Sequence, residues 1–150
     1  MSILLVLLKL VHIIAAMLAV GTNATAVFWL RAGGRDPDRL KFAIGGIRRL
    51  DRKVGIPAFG VLLLTGVLMV VLGLYDFTQR WIQLAIVLYL GLAVAGMTVM
   101  GPALKRVIAE AERDPDSEAF AEAERMSMRY TIGSLVVLLV IVVLMVTKPF

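Results

Sequence analysis

Four apolar stretches, residues 3–30, 54–74, 81–100 and 130–147, fix most of what this chain can become. About 20 mostly apolar residues, rising 1.5 Å each in a helix, cross roughly 30 Å of hydrocarbon. The first stretch exceeds that and must tilt or project. The last is shorter but almost purely Leu, Val and Ile, and it suffices. Sixty per cent of the 150 residues are hydrophobic, and a mean hydropathy of +0.90 lies far above that of a soluble domain. The expected fold is therefore all-α, an integral membrane four-helix bundle. It forms a single transmembrane domain over 1–150, with connecting loops at 31–53 and 101–129. Residues 1–20 do not read as a cleaved leader: the apolar run is too long, Lys9 interrupts it, and basic residues follow it. An uncleaved first span is expected. Cysteine is absent, which excludes disulfides, thiolate metal sites and Cys nucleophiles.

Orientation is read from basic residues in short loops near span ends. Arg31, Arg35, Arg39, Lys41, Arg48, Arg49, Arg52 and Lys53 lie in the first long loop, and Lys105, Arg106, Arg113, Arg125 and Arg129 in the second. The opposite side holds only Arg80 and Lys148. Thirteen against two places both long loops in the cytoplasm and both termini outside a bacterial inner membrane. The net charge of +5 is then not a nucleic-acid footprint. It implies contact with anionic lipid headgroups at the cytoplasmic face.

The two loops are built alike. Arg35-Asp36-Pro37-Asp38 is echoed by Arg113-Asp114-Pro115-Asp116, and in each an Asp can cap a helix that opens on Pro. A shift of 78 residues also aligns Gly55 with Gly133. Two pseudo-repeated helical hairpins, or two independent caps, account for the echo. Leu40, Ile44, Ile47 and Leu50 fall on one side of the first loop helix, which suits a helix on the membrane surface or one running straight into the second span. Glu118, Glu122, Arg125 and Arg129 in the second loop read as a solvated ion-pair face, the alternative being a docking surface. Gly91, Ala93, Ala95, Gly96 and Gly101 suit the third span to close contacts, within the bundle or between copies. The fourth span, Leu135 to Val146, is featureless and is expected to face lipid over much of its surface. Tyr75 and Trp81 are placed in an outer aromatic belt, and Trp29 and Tyr130 in an inner one.

Lys9, His12, Ala16, Ala19, Asn23 and Ala26 share one side of the first span. Ionisable groups inside a span need a partner or a cavity, so this seam is expected to face protein. Thr65 and Tyr89 come to nearly the depth of His12, about 13 Å from the outer end, with Lys9 and Gln83 above them and Gly66 leaving room. Candidate binding residues are therefore His12, Lys9, Thr65 and Tyr89, with His12 the candidate metal ligand. His12, the only histidine, admits three readings: interhelical packing through Thr65 or Tyr89, axial ligation of a b-type haem, or a proton-linked pair with Lys9. Met97 with Met100, and Met126 with Met128, suggest Cu(I) handling or plain gap-filling. No Walker loop, nucleophile elbow or HExxH helix is present.

The opening Leu8-Lys9-Leu10-Val11-His12, Gly21-Thr22-Asn23, the basic run Arg48-Arg49-Leu50-Asp51-Arg52-Lys53, and Pro57 followed by Leu64-Thr65-Gly66 resemble an uncharacterised bacterial family of small four-span membrane proteins. The resemblance covers nearly the whole chain and implies no activity. A Lys/His-bearing first span is also distantly similar to membrane protoporphyrinogen oxidases, which carry b-type haem, and to copper-resistance membrane proteins. This chain has no second histidine, so a bis-histidine site within one subunit is out of reach. The expected role is non-catalytic or accessory, as a homo-oligomer or a subunit of a membrane complex. A haem-binding redox protein or porphyrin-pathway enzyme using His12 is the alternative, and a small-solute transporter comes third.

Overall fold

The computed structural model describes residues 3–149 and is helical throughout, without strands among those residues. Four helices carry it: α1 (Ile3–Gly33), α2 (Pro37–Val71), α3 (Arg80–Arg113) and α4 (Glu118–Thr147), each apolar and long enough to cross a membrane. At 1.5 Å per residue they measure about 45–52 Å, so each overruns a 30 Å hydrocarbon layer by roughly 15–20 Å. The overrun lies at the end carrying the two long loops, called the basic end below. At the opposite, far end the apolar run of the second span continues to Leu74, but its helix stops at Val71, where Gly73 turns the chain at φ +73°.

The first loop helix does not lie flat. It runs straight into the second span through one widened turn, Asp51–Gly55, in which the Ile56 N–H reaches the Asp51 carbonyl. A matching turn, Gly96–Met100, interrupts α3. Pro57 and Pro102 each stand two residues beyond such a turn. A proline ring has no N–H and collides with the carbonyl four residues back, and an extra residue per turn moves that carbonyl aside. An exact duplication of the hairpins would put the second widened turn in α4, where none occurs.

The caps differ as well. Asp36 accepts the Arg39 N–H at 2.8 Å, as the Asp-Pro start requires. In the second loop the cap is Ser117, which takes the Phe120 N–H at 3.2 Å, while Asp114 only braces the turn through the Asp116 N–H at 3.0 Å. Serine adjoins the apolar-periodic run and Asp114 lies three residues too early, so the expected second Asp cap is displaced. The expected pairing of Glu122 with Arg125 does not form either. The ion pairs instead join the two loops, Lys41 with Glu112 at 2.6 Å and Arg35 with Asp116 at 3.0 Å.

The densest packing is at the basic end, beyond the span lengths. Leu30, Leu40, Ile44, Leu104, Val107 and Phe120 are buried there in one cluster drawn from all four helices. The hairpin between α1 and α2 closes tightly: a Cβ on Gly33 would stand 2.9 Å from the Leu40 Cδ2 and 3.4 Å from its Cα. Within the spans α1 packs on α2 and α4, and α4 packs on α3, while the backbones of α2 and α3 stay apart. Thus α1 and α4 are the central helices. The glycine-rich third span is not: Gly91, Gly96 and Gly101 have nothing within 4 Å of a would-be Cβ. The fourth span turns one face inward, burying Thr131, Leu138 and Leu144, and leaves Val136, Leu139, Val140 and Val143 exposed. At the far end Trp81 is 4 % exposed and edge-on to Tyr75 at 5.5 Å, with the Lys148 ammonium 4.7 Å above the Tyr75 ring.

Candidate functional site

The polar seam of α1 is the interior face of the central helix. His12, Ala15, Ala19 and Ala26 are buried and Asn23 is half-buried, while Lys9 is exposed at the far end. The alanines allow this closeness, since a small side chain lets neighbouring helix backbones approach. His12 is 9 % exposed. Its Nδ1 lies 2.7 Å from the Thr65 hydroxyl on α2, and its ring rests against Gly66, where a Cβ would stand 3.5 Å from Cε1.

Thr65 is also bonded along its own helix, its hydroxyl 2.6 Å from the Val61 carbonyl. A hydroxyl has one proton. With that proton on the Val61 carbonyl, His12 Nδ1–H donates to Thr65, and the neutral ring presents its lone pair at Nε2. The Leu62 backbone carbonyl also approaches the ring, and no side chain among the described residues bonds Nε2. An imidazole held at one nitrogen and open at the other can accept a proton or ligate a metal.

Of the four candidate residues, the fold brings His12 and Thr65 together. Tyr89 does not join them: its hydroxyl donates to the Phe59 carbonyl at 2.7 Å, and its ring packs on Phe59 at 5.6 Å, bridging the gap between α2 and α3. Gln83 is held at the far-end turn by the Phe77 carbonyl at 3.0 Å. Lys9 forms no ion pair among the described residues. The methionines do not converge on a metal site. Met100 lies 3.9 Å from the Thr131 hydroxyl, which donates to the Ser127 carbonyl at 2.9 Å, Met128 packs on the basic-end core, and Met97 is 74 % exposed. No group of three His, Cys, Asp or Glu side chains gathers among the described residues.

A second polar contact was only half legible. Asn23 is in the seam, but its partner, Ser134 on α4 at 3.1 Å, carries no local signal. Two grooves were missed altogether. One, about 400 Å³, lies between α1 and α2 at the basic end and is lined by Trp29, Ala32, Asp38, Arg39, Phe42 and Ala43. Trp29 packs on Phe42 at 6.0 Å and over Gly46. Its signal in the sequence is Phe42, an aromatic residue off the Leu40–Ile44 face of a basic loop helix. The other, about 210 Å³, lies between α3 and α4 and is lined by Pro102, Ala103, Arg106, Ala123 and Met126.

Four apolar helices around a seam of small residues, crossed by a His–Thr and an Asn–Ser bond, define a small polytopic integral membrane protein. More particularly, the chain belongs to the family described as predicted integral membrane protein DUF2269, which matches residues 6–149. No curated protein and no solved structure matches it.

Proposed function

We propose that this protein is a non-catalytic subunit of a bacterial inner-membrane assembly, docking to further copies of itself or to another membrane protein through the basic end of its bundle. Both long loops are cytoplasmic in this reading, and both termini lie outside. One observation carries it, the aromatic groove between α1 and α2. Phe42, on the groove's wall, is 72 % exposed. Arg48, Arg49, Arg52 and Lys53 stand between Phe42 and the second span, so hydrocarbon does not cover this ring. Large apolar side chains left open to water around a groove mark a surface for a partner.

The absence of native cysteine gives a clean test. A Phe42→Cys variant is crosslinked in cells with a bifunctional maleimide, and a Phe42→Glu variant is sized by native mass spectrometry in lipid nanodiscs. The reading expects a higher-mass adduct at position 42 and dissociation of the glutamate variant. A monomer without adduct, turning over a redox substrate, overturns it.

One feature favours a second reading. His12 has Nδ1 anchored by Thr65, the tethering that orients an axial imidazole. A b-type haem on His12 gives a Soret band in the purified protein that is lost or shifted in His12→Ala; a colourless protein expressed with haem available excludes it.

A further inference from the structure

We infer that the groove between α3 and α4 is a binding site for one anionic phospholipid, with the phosphate on Arg106 beside Met126 and the glycerol over Pro102 and Ala103, from which the acyl chains enter the hydrocarbon. Depth is the first ground. Counting about 20 residues of hydrocarbon from Arg80 at the far end of α3 reaches Gly101. Pro102 and Ala103 therefore sit at the hydrocarbon edge, and Arg106 stands about 7 Å beyond it. The headgroup layer on each side of a bilayer is roughly 5–7 Å deep, which sets the Arg106 guanidinium among the phosphates. On the α4 wall, the Thr131 contact to Met100 places Met126 level with Arg106 and Ala123 slightly farther out.

Charge is the second ground. Arg106 is the one ionisable group in the lining, and it forms no ion pair among the described residues. The remaining walls, Pro102, Ala103, Ala123 and Met126, are apolar. A guanidinium offers paired N–H donors to phosphate oxygens, while the apolar floor suits the glycerol and the start of a chain. The larger groove lacks both features: Asp38 lines it, and it lies on the water side of the basic cluster. The lipid source rests on the cytoplasmic placement of the basic end proposed above, where anionic lipid faces the groove.

The test uses the full chain, exchanged from detergent into nanodiscs of phosphatidylcholine or of phosphatidylglycerol mixed with it, and analysed by native mass spectrometry. The wild type is expected to retain one phosphatidylglycerol at least tenfold more than phosphatidylcholine. Arg106→Gln is expected to lose that preference, and Arg125→Gln, an exposed arginine outside the groove, to keep it. Ala103→Leu fills the groove without touching charge and is expected to lose retention while the helical circular dichroism is unchanged. Equal retention by Arg106→Gln and wild type overturns the site. So does displacement of the lipid by millimolar inorganic phosphate, which marks a simple anion site. Labelling of Glu118→Cys by an impermeant maleimide in intact cells tests the orientation separately: labelling there refutes the cytoplasmic placement while leaving the in vitro lipid preference to stand or fall alone.

Discussion

Removing the Thr65 hydroxyl by Thr65→Val keeps the shape of the side chain and takes away the partner of His12 Nδ1, 2.7 Å distant. Both residues are buried, so water does not replace the bond freely. Hydrogen bonds between membrane helices average about 0.6 kcal/mol in double-mutant cycles and reach about 1.7. A short bond at a buried histidine belongs toward the upper part of that range, and a coupling of about 1 kcal/mol is expected between His12→Leu and Thr65→Val. The single Thr65→Val change should cost about 1–2 kcal/mol, because a buried donor is left unmade. The double variant should be less destabilised than the two single losses added together. The assay is reversible unfolding in mixed micelles with rising sodium dodecyl sulfate, followed by helical circular dichroism. Asn23→Ala with Ser134→Ala provides a second cycle on the other side of α1, where the bond is 3.1 Å. Coupling below about 0.3 kcal/mol at His12–Thr65, within ordinary additivity, refutes the argument that this bond joins α1 to α2.

Other expectations follow from the same packing. Ser127 is fully buried and its hydroxyl has no partner, so Ser127→Ala should raise stability by about 1 kcal/mol in the same unfolding assay, whereas a loss would reveal a bond to an internal water. Leu40→Ala opens the core at the basic end, where Leu40 is 1 % exposed. It should cost about 2–4 kcal/mol and speed amide exchange in 31–53 and 101–125 together; an effect confined to the first loop would show that the two hairpins do not share that core. At the far-end turn, the Thr78 N–H donates to the Asp76 carboxylate at 2.9 Å, which holds that carboxyl below its usual range. The contribution is present above the unfolded carboxylate value and is lost as pH falls through the lower folded value. Thr78 amide exchange, corrected for its intrinsic pH dependence, should therefore lose protection on acidification, and Asp76→Asn should blunt that change.

Local sequence determined what is set by solvent and by helical period. The four apolar stretches could be satisfied only by helices crossing lipid, because only a helix bonds its own backbone there. The small-residue side of α1 was legible for the same reason: the 3.6-residue period places His12, Ala19, Asn23 and Ala26 on one face, and a histidine there needs protein around it. Asp36 before Pro37 announced a helix start that the fold keeps. Tertiary structure alone decided which faces meet. Thr65 and Tyr89 were equally good partners by depth, and the packing of α1 on α2, with α3 standing off, gave His12 to Thr65 and left Tyr89 to a carbonyl. Small residues did not identify the central helix, since a glycine face permits close approach without requiring it. The widened turns at Asp51–Gly55 and Gly96–Met100 likewise arise from prolines inside continuing helices, which sequence reads as ends. The core at the basic end and the two grooves beside it exist only because helices some 15–20 Å longer than a hydrocarbon layer continue past the span lengths and pack against one another there.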